Sequence, residues 1–256
     1  MKILTWNLRH GGGSRRMPEI TLSLLEHRAD VVVLTEWRKH TGGQICGVLA
    51  DHGLRHQHGT DPAKGSNGVL VASRCPIEVD AEPEAFMGVG GQGTGIAAHH
   101  RARKKRLVEA RIPELGVTVI GVHVPPDGAG SGREAVFQAA VAAARNRRDE
   151  ACVLIGDLNA GRHYLDEEGA TFTCTRLLGE LATMRYADAW RMLNPQEREY
   201  SWFSHEGKGF RIDHALVSEP LADGVKACWY SHSERERDLS DHSMMVLSVD
   251  VPARNS

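Results

Sequence analysis

Residues 152–159 read Cys-Val-Leu-Ile-Gly-Asp-Leu-Asn, an apolar run that breaks into Gly156-Asp157-Leu158-Asn159. A short apolar run with this content suits a strand buried on both faces, which requires packed layers above and below it. The same signature recurs along the chain. Runs at 2–6, 31–34, 69–72, 107–112, 117–122, 214–217 and 244–249 predict further strands. Helical patterns lie between them. At 18–28, Pro18 falls in the first turn and Ile20, Leu24 and Leu25 share one side. The Ala-rich stretch 135–144 predicts a second helix over 132–148, capped by Ser131, and 176–184 a third. Many strands with interspersed helices predict an α/β fold of two packed sheets with helices outside. No repeat, low-complexity tract or linker divides residues 1–256, so a single domain is expected.

Composition narrows the classes. A chain of 256 residues is long enough to bury a sizeable core. No apolar run approaches the roughly 20 residues of a membrane-spanning helix. Asn7 and Arg9 interrupt the first apolar run too early for a signal peptide. No membrane association is therefore expected. Cys46, Cys75, Cys152, Cys174 and Cys228 are odd in number, scattered, and form no Cys-x-x-Cys pair. They predict free thiols in a reducing compartment, hence a cytoplasmic protein. The formal charge of −2 argues against a general polycation, but it is a sum of unlike parts. Residues 99–111 hold six basic side chains against Glu109, so the remainder of the chain is acidic. A local basic segment cancelling an acidic remainder leaves a nucleic-acid substrate open.

The chemistry-bearing residues stand where the apolar runs stop. Run 2–6 ends in Asn7, 31–34 in Thr35-Glu36, 117–122 in His123, and 152–155 in Gly156-Asp157-Leu158-Asn159. Arg211-Ile212-Asp213-His214 and Ser240-Asp241-His242 precede the last two runs. Loops at strand ends are where a rigid sheet presents catalytic groups. Taken singly, an Asp after a strand is a turn former. Together, the carboxylates, amides and histidines make an inventory for phosphoryl chemistry. Its oxygen donors suit Mg²⁺ or Mn²⁺ better than zinc.

These motifs resemble the endonuclease/exonuclease/phosphatase superfamily. Thr5-Trp6-Asn7, Leu34-Thr35-Glu36, His123-Val124-Pro125, Gly156-Asp157-Leu158-Asn159, Arg211-Ile212-Asp213-His214 and Ser240-Asp241-His242 occur in the order that family would have them. The resemblance implies a four-layered αββα sandwich of two mixed sheets flanked by helices. It also implies metal-dependent hydrolysis of a phosphoester. A phosphodiester is an anion, so attack on it needs charge neutralisation and a stabilised leaving oxygen. On this reading Glu36 is the principal metal ligand, with Asn7 beside it and Asp241 at the same or a second ion. Asp157 orients or deprotonates the attacking water, and Asn159 holds that water or a phosphate oxygen. His242 contacts the phosphate, with Asp213 accepting its other N–H. His123 is a second phosphate contact or a general acid.

Tyr200-Ser201-Trp202-Phe203-Ser204 and Gly209-Phe210-Arg211-Ile212-Asp213 look like the exonuclease III and apurinic endonuclease branch. In that branch, the groups matching Trp202, Phe210 and Ile212 line a pocket for an extruded abasic sugar; otherwise they pack a hairpin. Three positions depart from it. That branch has tyrosine, asparagine and a metal-associated aspartate where His123, Pro126 and Arg9 stand. Histidine at 123, and Tyr164 beyond Asn159-Ala160-Gly161, are similar to deoxyribonuclease I. The basic run containing Arg101, Arg103, Lys104, Lys105 and Arg106 reads either as a loop tracking nucleic-acid phosphates or as a solvated hairpin tip. The glycine-rich stretch 88–95 before it lacks the Lys-Ser/Thr ending of a phosphate-binding loop and reads as a loop near the site. The expected substrate is DNA, cleaved by a monomer without an obligate protein partner. The alternative is a small-molecule or lipid phosphoester.

Overall fold

The computed structural model describes residues 1–79, 105–128 and 132–252. The glycine-rich stretch 88–95 and the basic residues Arg101, Arg103 and Lys104 lie outside them. In chain order the elements are β1 (Lys2–Asn7), α1 (Met17–Glu26), β2 (Val31–Trp37), α2 (Gly43–Asp51), β3 (His56–Gly59), β4 (Gly68–Ser73), β5 (Leu107–Ile112) and β6 (Val117–His123). Then come α3 (Arg133–Asn146), β7 (Cys152–Asp157), α4 (Thr175–Thr183), β8 (Ala187–Asp188), α5 (Ala189–Leu193), β9 (Trp202–Phe203) and β10 (Gly209–Phe210). The chain continues through β11 (Asp213–Val217), α6 (Glu219–Ala222), β12 (Val225–Ser231), α7 (Ser233–Glu236) and β13 (Met244–Val249).

Two mixed sheets form the body, one ordered β12-β13-β1-β2-β4-β3 and the other β5-β6-β7-β11-β8. Strand alternation builds the layers. From β1 and β2, Ile3, Val31 and Val33 point into a central core, where Val119, Val153, Ile155 and Ala215 of the other sheet meet them. The intervening Leu4, Trp6, Val32 and Leu34 point outward onto Ile20 and Leu24 of α1 and Ile45 and Leu49 of α2. On the far side, Ile120, Val122, Leu154 and Leu216 pack on Phe137 and Val141 of α3 and Leu177 and Leu181 of α4. Both faces of the central strands are thus buried, which is why they read as continuous apolar runs. The result is the expected four-layered αββα sandwich. Gly121 permits the close approach of the sheets, because a Cβ there would lie 2.9 Å from Val33 Cγ1.

Differences from the sequence reading have local causes. Strand β3, His-Gln-His-Gly, is a half-exposed edge strand without an apolar face. Strand β12 is also an edge, with Lys226 exposed and a register shift between Val225 and Ala227. Helix α3 begins at Arg133 after Gly132, whose φ of 65° makes glycine, not Ser131, the residue at its cap position. Among the described residues no helix is long and apolar enough to cross a membrane. All five cysteines are free thiols.

Topology gathers the polar strand ends. Strands β1 and β2 run parallel, as do β6 and β7, so their carboxyl ends carry Asn7, Glu36, His123 and Asp157. Strand β11 runs antiparallel to β7 with Asp213 opposite Asp157, and β13 runs antiparallel to β1, so their amino ends arrive at the same edge. His123 pairs with Asp157 across the second sheet.

Candidate active site

Asp157, at the carboxyl end of β7, is 1 % exposed. Gly156 before it has φ 144°, and a Cβ there would collide with the carbonyl oxygen of Val122, so only glycine fits between the parallel strands. Asp157 Oδ1 accepts from the backbone N–H of Asn159 at 2.9 Å, and Oδ2 from Asn7 Nδ2 at 2.9 Å. Asn159 holds φ 46°, a left-handed conformation that Asn tolerates, and its Nδ2 donates to the Val124 carbonyl at 2.9 Å. The Gly-Asp-Leu-Asn turn is therefore fixed at both ends.

His242 Nδ1 donates to Asp213 Oδ2 at 2.8 Å, and Asp157, Asp213 and His242 offer atoms within 4.8 Å of one another. These three have the donor types and spacing to hold a metal ion, and they are the one such group among the described residues. Burial works against the His242 imidazolium, yet the carboxylates of Asp213, Asp157 and Asp241 outweigh it and push the group up to about 10. Because this exceeds its ordinary 6.5, His242 contributes stability that is complete below pH 6.5 and lost as pH rises through about 10. Burial, joined by the charge of Asp213, pushes Asp157 up to about 7; His242, Asn159 and Asn7 oppose the shift. Supporting hydroxyls hold the trio in place. Ser201 Oγ accepts from the N–H of Asp213, and Ser240 Oγ donates to the Asn7 carbonyl while accepting from the N–H of His242.

Glu36 reaches the site through a bulge. The β2–β4 register shifts between Thr35 and Trp37, and Glu36 takes φ 54°. Such a bulge re-aims a side chain beside a site. Glu36 Oε2 accepts from the His10 N–H at 2.6 Å, while Oε1 lies 3.9 Å from His123 Nε2. His123 is 2 % exposed and its Nε2 has no hydrogen-bond partner among the described residues; Asp157 Oδ2 is also 3.9 Å away. Burial, then the charges of Arg106, His242 and His10, hold His123 well below the usual imidazole range. Asp213 Oδ1 at the same edge is another buried atom without a partner among the described residues. Unpaired buried polar atoms are uncommon, and two at one sheet edge mark a place built for a further polar group.

The other candidates sit around this edge. Asp241 Oδ2 accepts from Trp202 Nε1 at 3.4 Å. The Trp202 ring lies 5.7 Å from Phe210 and 6.5 Å from His242, and Phe210 meets Phe172 at 5.7 Å. Ile212 is buried at 5 %, so it backs this aromatic wall rather than presenting a face. Lys105 is exposed, but Arg106 turns inward, with its guanidinium 2.6 Å from His123 Nδ1. The sequence reading missed that contact, the Glu36 bulge, and the Ser201 and Ser240 supports.

A family model described as the Endonuclease/Exonuclease/phosphatase family matches residues 4–242. The chain belongs to this family and is a hydrolytic phosphoesterase. A comparison with curated protein sequences gave no significant match. Among solved structures, a 3′ phosphatase from Neisseria, NExo, bound to a product DNA hairpin is 23% identical, with 98% of this chain and 99% of that chain covered and a TM-score of 0.76. An AP endonuclease from Archaeoglobus fulgidus is 20% identical over 98% of this chain and 100% of that chain, with a TM-score of 0.76. The NExo 3′–5′ exonuclease from Neisseria meningitidis is 24% identical, over 98% and 100%, with a TM-score of 0.75. These likenesses share the sandwich fold across the whole chain.

Proposed function

We propose that the chain hydrolyses DNA phosphodiester bonds with the help of Mg²⁺ or Mn²⁺, as an endonuclease acting on abasic or intact strands or as a 3′-exonuclease. The observation that carries this reading is the buried Asp213–His242 pair beside Asp157, walled by Trp202 and Phe210. The pair supplies a cationic imidazole for a phosphate anion, and the aromatic wall suits a sugar or base taken out of the stack. Three similar structures whose names describe an AP endonuclease, a 3′–5′ exonuclease and a 3′ phosphatase with a DNA hairpin support a DNA substrate.

The residues fit a divalent cation. Glu36 Oε1 accepts no hydrogen bond among the described residues, and Asn7 and Asp241 add oxygen donors. Glu36, Asn7 and Asp241 would hold the ion, with Asp157, Asp213 and His242 adjoining it. Bound there, it would neutralise charge developing on the phosphoryl oxygens. The chain's own groups do the rest. Asp157, raised toward neutrality, takes a proton from the attacking water, and Asn159 fixes the orientation of that carboxylate. His242, kept protonated by Asp213, holds a phosphate oxygen. Trp202 and Phe210 seat the flanking nucleoside.

Activity then requires Asp157 ionised and His242 protonated. The expected kcat/KM profile rises through pH about 7 and falls near about 10. A bound cation favours the carboxylate, so higher Mg²⁺ moves the lower limb to lower pH. A flat profile between pH 5 and 9 would contradict these roles. Glu36→Gln is expected to raise the Mg²⁺ concentration needed for half-maximal activity at least about tenfold, the scale of one lost charged interaction of about 1.4 kcal/mol. Titrating activity against Mg²⁺ measures this. The reading as a whole is tested by plasmid nicking and abasic-duplex cleavage with Mg²⁺ or Mn²⁺ and with chelator. Failure on both DNA substrates, alongside rapid turnover of a small or lipid phosphoester, would transfer the function to that substrate class.

A further inference from the structure

The sequence places Arg106 at the end of a run of cations, where it reads as one more phosphate contact. Register puts it elsewhere. Leu107 of β5 pairs with Val122 of β6, so Arg106 comes to lie beside His123, and its guanidinium meets His123 Nδ1 at 2.6 Å. A guanidinium carries five N–H donors, has no acceptor and does not give up its proton in proteins. Nδ1 must therefore be the accepting nitrogen. A neutral imidazole that accepts at Nδ1 carries its proton at Nε2.

That nitrogen is buried and has no hydrogen-bond partner among the described residues. It faces Glu36 Oε1 and Asp157 Oδ2, both at 3.9 Å, beyond hydrogen-bond reach. The N–H is thus an unspent donor at the edge where the two carboxylates gather. An N–H has no lone pair for a metal ion, so His123 in this form donates and does not ligate.

We propose that Arg106 is a positioning residue: by donating to Nδ1 it holds His123 as the Nε2–H tautomer, and that N–H is the hydrogen-bond donor to a non-bridging oxygen of the substrate phosphoester. The inference rests on the phosphoesterase reading of the site and adds a donor to it. It also separates the inward Arg106 from exposed Lys105 in the same run. A groove cation would act on substrate affinity, whereas Arg106 acts on turnover through the imidazole. Preorganised donors of this kind carry about 10²–10³ in rate each.

The test has two independent arms on the full-length protein. In the first, ¹⁵N-histidine spectra are recorded with and without Mg²⁺, with His123 assigned by its disappearance in His123→Gln. The expected result is a proton on Nε2 and an unprotonated Nδ1, unchanged by Mg²⁺, and loss of that fixed pattern in Arg106→Met. A proton on Nδ1, or loss of the Nε2 proton on adding Mg²⁺, overturns the proposal whether or not any substrate is turned over. In the second arm, steady-state kinetics use bis(p-nitrophenyl) phosphate, which needs no DNA groove. Arg106→Met is expected to lower kcat about 10²-fold with KM changed less than threefold. Arg106→Lys, which retains one donor, should recover part of that loss, and Arg106→Met added to His123→Ala should do no further harm. A raised KM with intact kcat, or additive losses in the double variant, overturns the proposal. If the wild-type protein turns over no phosphodiester, the functional reading falls, and the spectra still decide the tautomer.

Discussion

Replacing Asp157 by Asn is expected to lower phosphodiester turnover by about 10²–10⁴-fold, the usual share of a general base, and to leave the protein folded and no less stable. The two effects have one origin. Asp157 is buried and its ionised form is disfavoured by that burial and by the charge of Asp213. Its folded value of about 7 exceeds the ordinary 3.8, so the folded protein binds this proton more tightly than the unfolded chain. Stability from this carboxyl is therefore full below pH about 4 and lost as pH rises to about 7. Asparagine has the same shape and no charge. Its oxygen can still accept from the Asn159 N–H, while its amide faces the Asn7 amide that formerly donated to the carboxylate. That mismatch costs about 1–3 kcal/mol, which relief of the buried repulsion offsets above pH 7. Melting at pH 8 should show a midpoint equal to or above that of the wild type, with the difference shifting toward the wild type at pH 5. Activity within tenfold of the wild type would remove Asp157 from the reaction. A large fall in midpoint together with activity would make its role structural.

What the sequence disclosed follows from burial. Strands covered on both faces announce themselves as apolar runs, and their polar ends stand out by contrast, so Asn7, Glu36, His123, Asp157, Asp213 and His242 could be found without coordinates. Edge strands lack that signal. Strand β3 is half exposed and rich in histidine, and β12 buries only Cys228 and Tyr230 among half-buried or exposed neighbours, so neither carried a continuous apolar run. Direction was also hidden. Neighbouring cations in one run look alike in sequence, and only the pairing of Leu107 with Val122 separates Arg106, turned into the site, from Lys105, turned to solvent. The Glu36 side chain is set by a bulge and a positive φ, neither of which Thr-Glu-Trp signals. Arg211 shows the same limit. It was legible as a motif residue, but its partners come from segments 23 and 45 residues away.

Arg211→Met is expected to remove about 3–5 kcal/mol of stability, the largest loss any single substitution near the site should produce. Arg211 is wholly buried two residues before Asp213. Its Nε donates to Asp166 Oδ1 at 2.7 Å, and its two terminal nitrogens donate to Asp188 Oδ1 and Oδ2 at 3.2 and 2.6 Å. Arg191 also reaches Asp166 Oδ1 at 2.6 Å, His214 meets Asp188 Oδ2 at 3.2 Å, and both guanidiniums lie over the Trp190 ring. Burial works against both carboxylates, but Arg211 outweighs it and, with His214, holds Asp188 well below the usual range. These acids stabilise the fold above their ordinary value of 3.8, and that contribution is lost as pH falls through their folded values. Removing Arg211 leaves Asp188 with His214 and the Arg191 N–H, and Asp166 with the Arg191 guanidinium and the Arg162 N–H, so two buried carboxylates lose the cation they share, which is the situation in which a buried pair becomes a liability. At 2–4 °C per kcal/mol for a chain of this size, the midpoint should fall by roughly 6–20 °C. Arg211→Lys should recover little, because a single ammonium cannot bridge two carboxylates in the guanidinium's fork geometry. Thermal and denaturant unfolding at pH 7 measure both variants. A fall of less than about 2 °C would show that neighbouring charges or water replace Arg211, and the network would then lose its place as the foundation beneath Asp213 and His242.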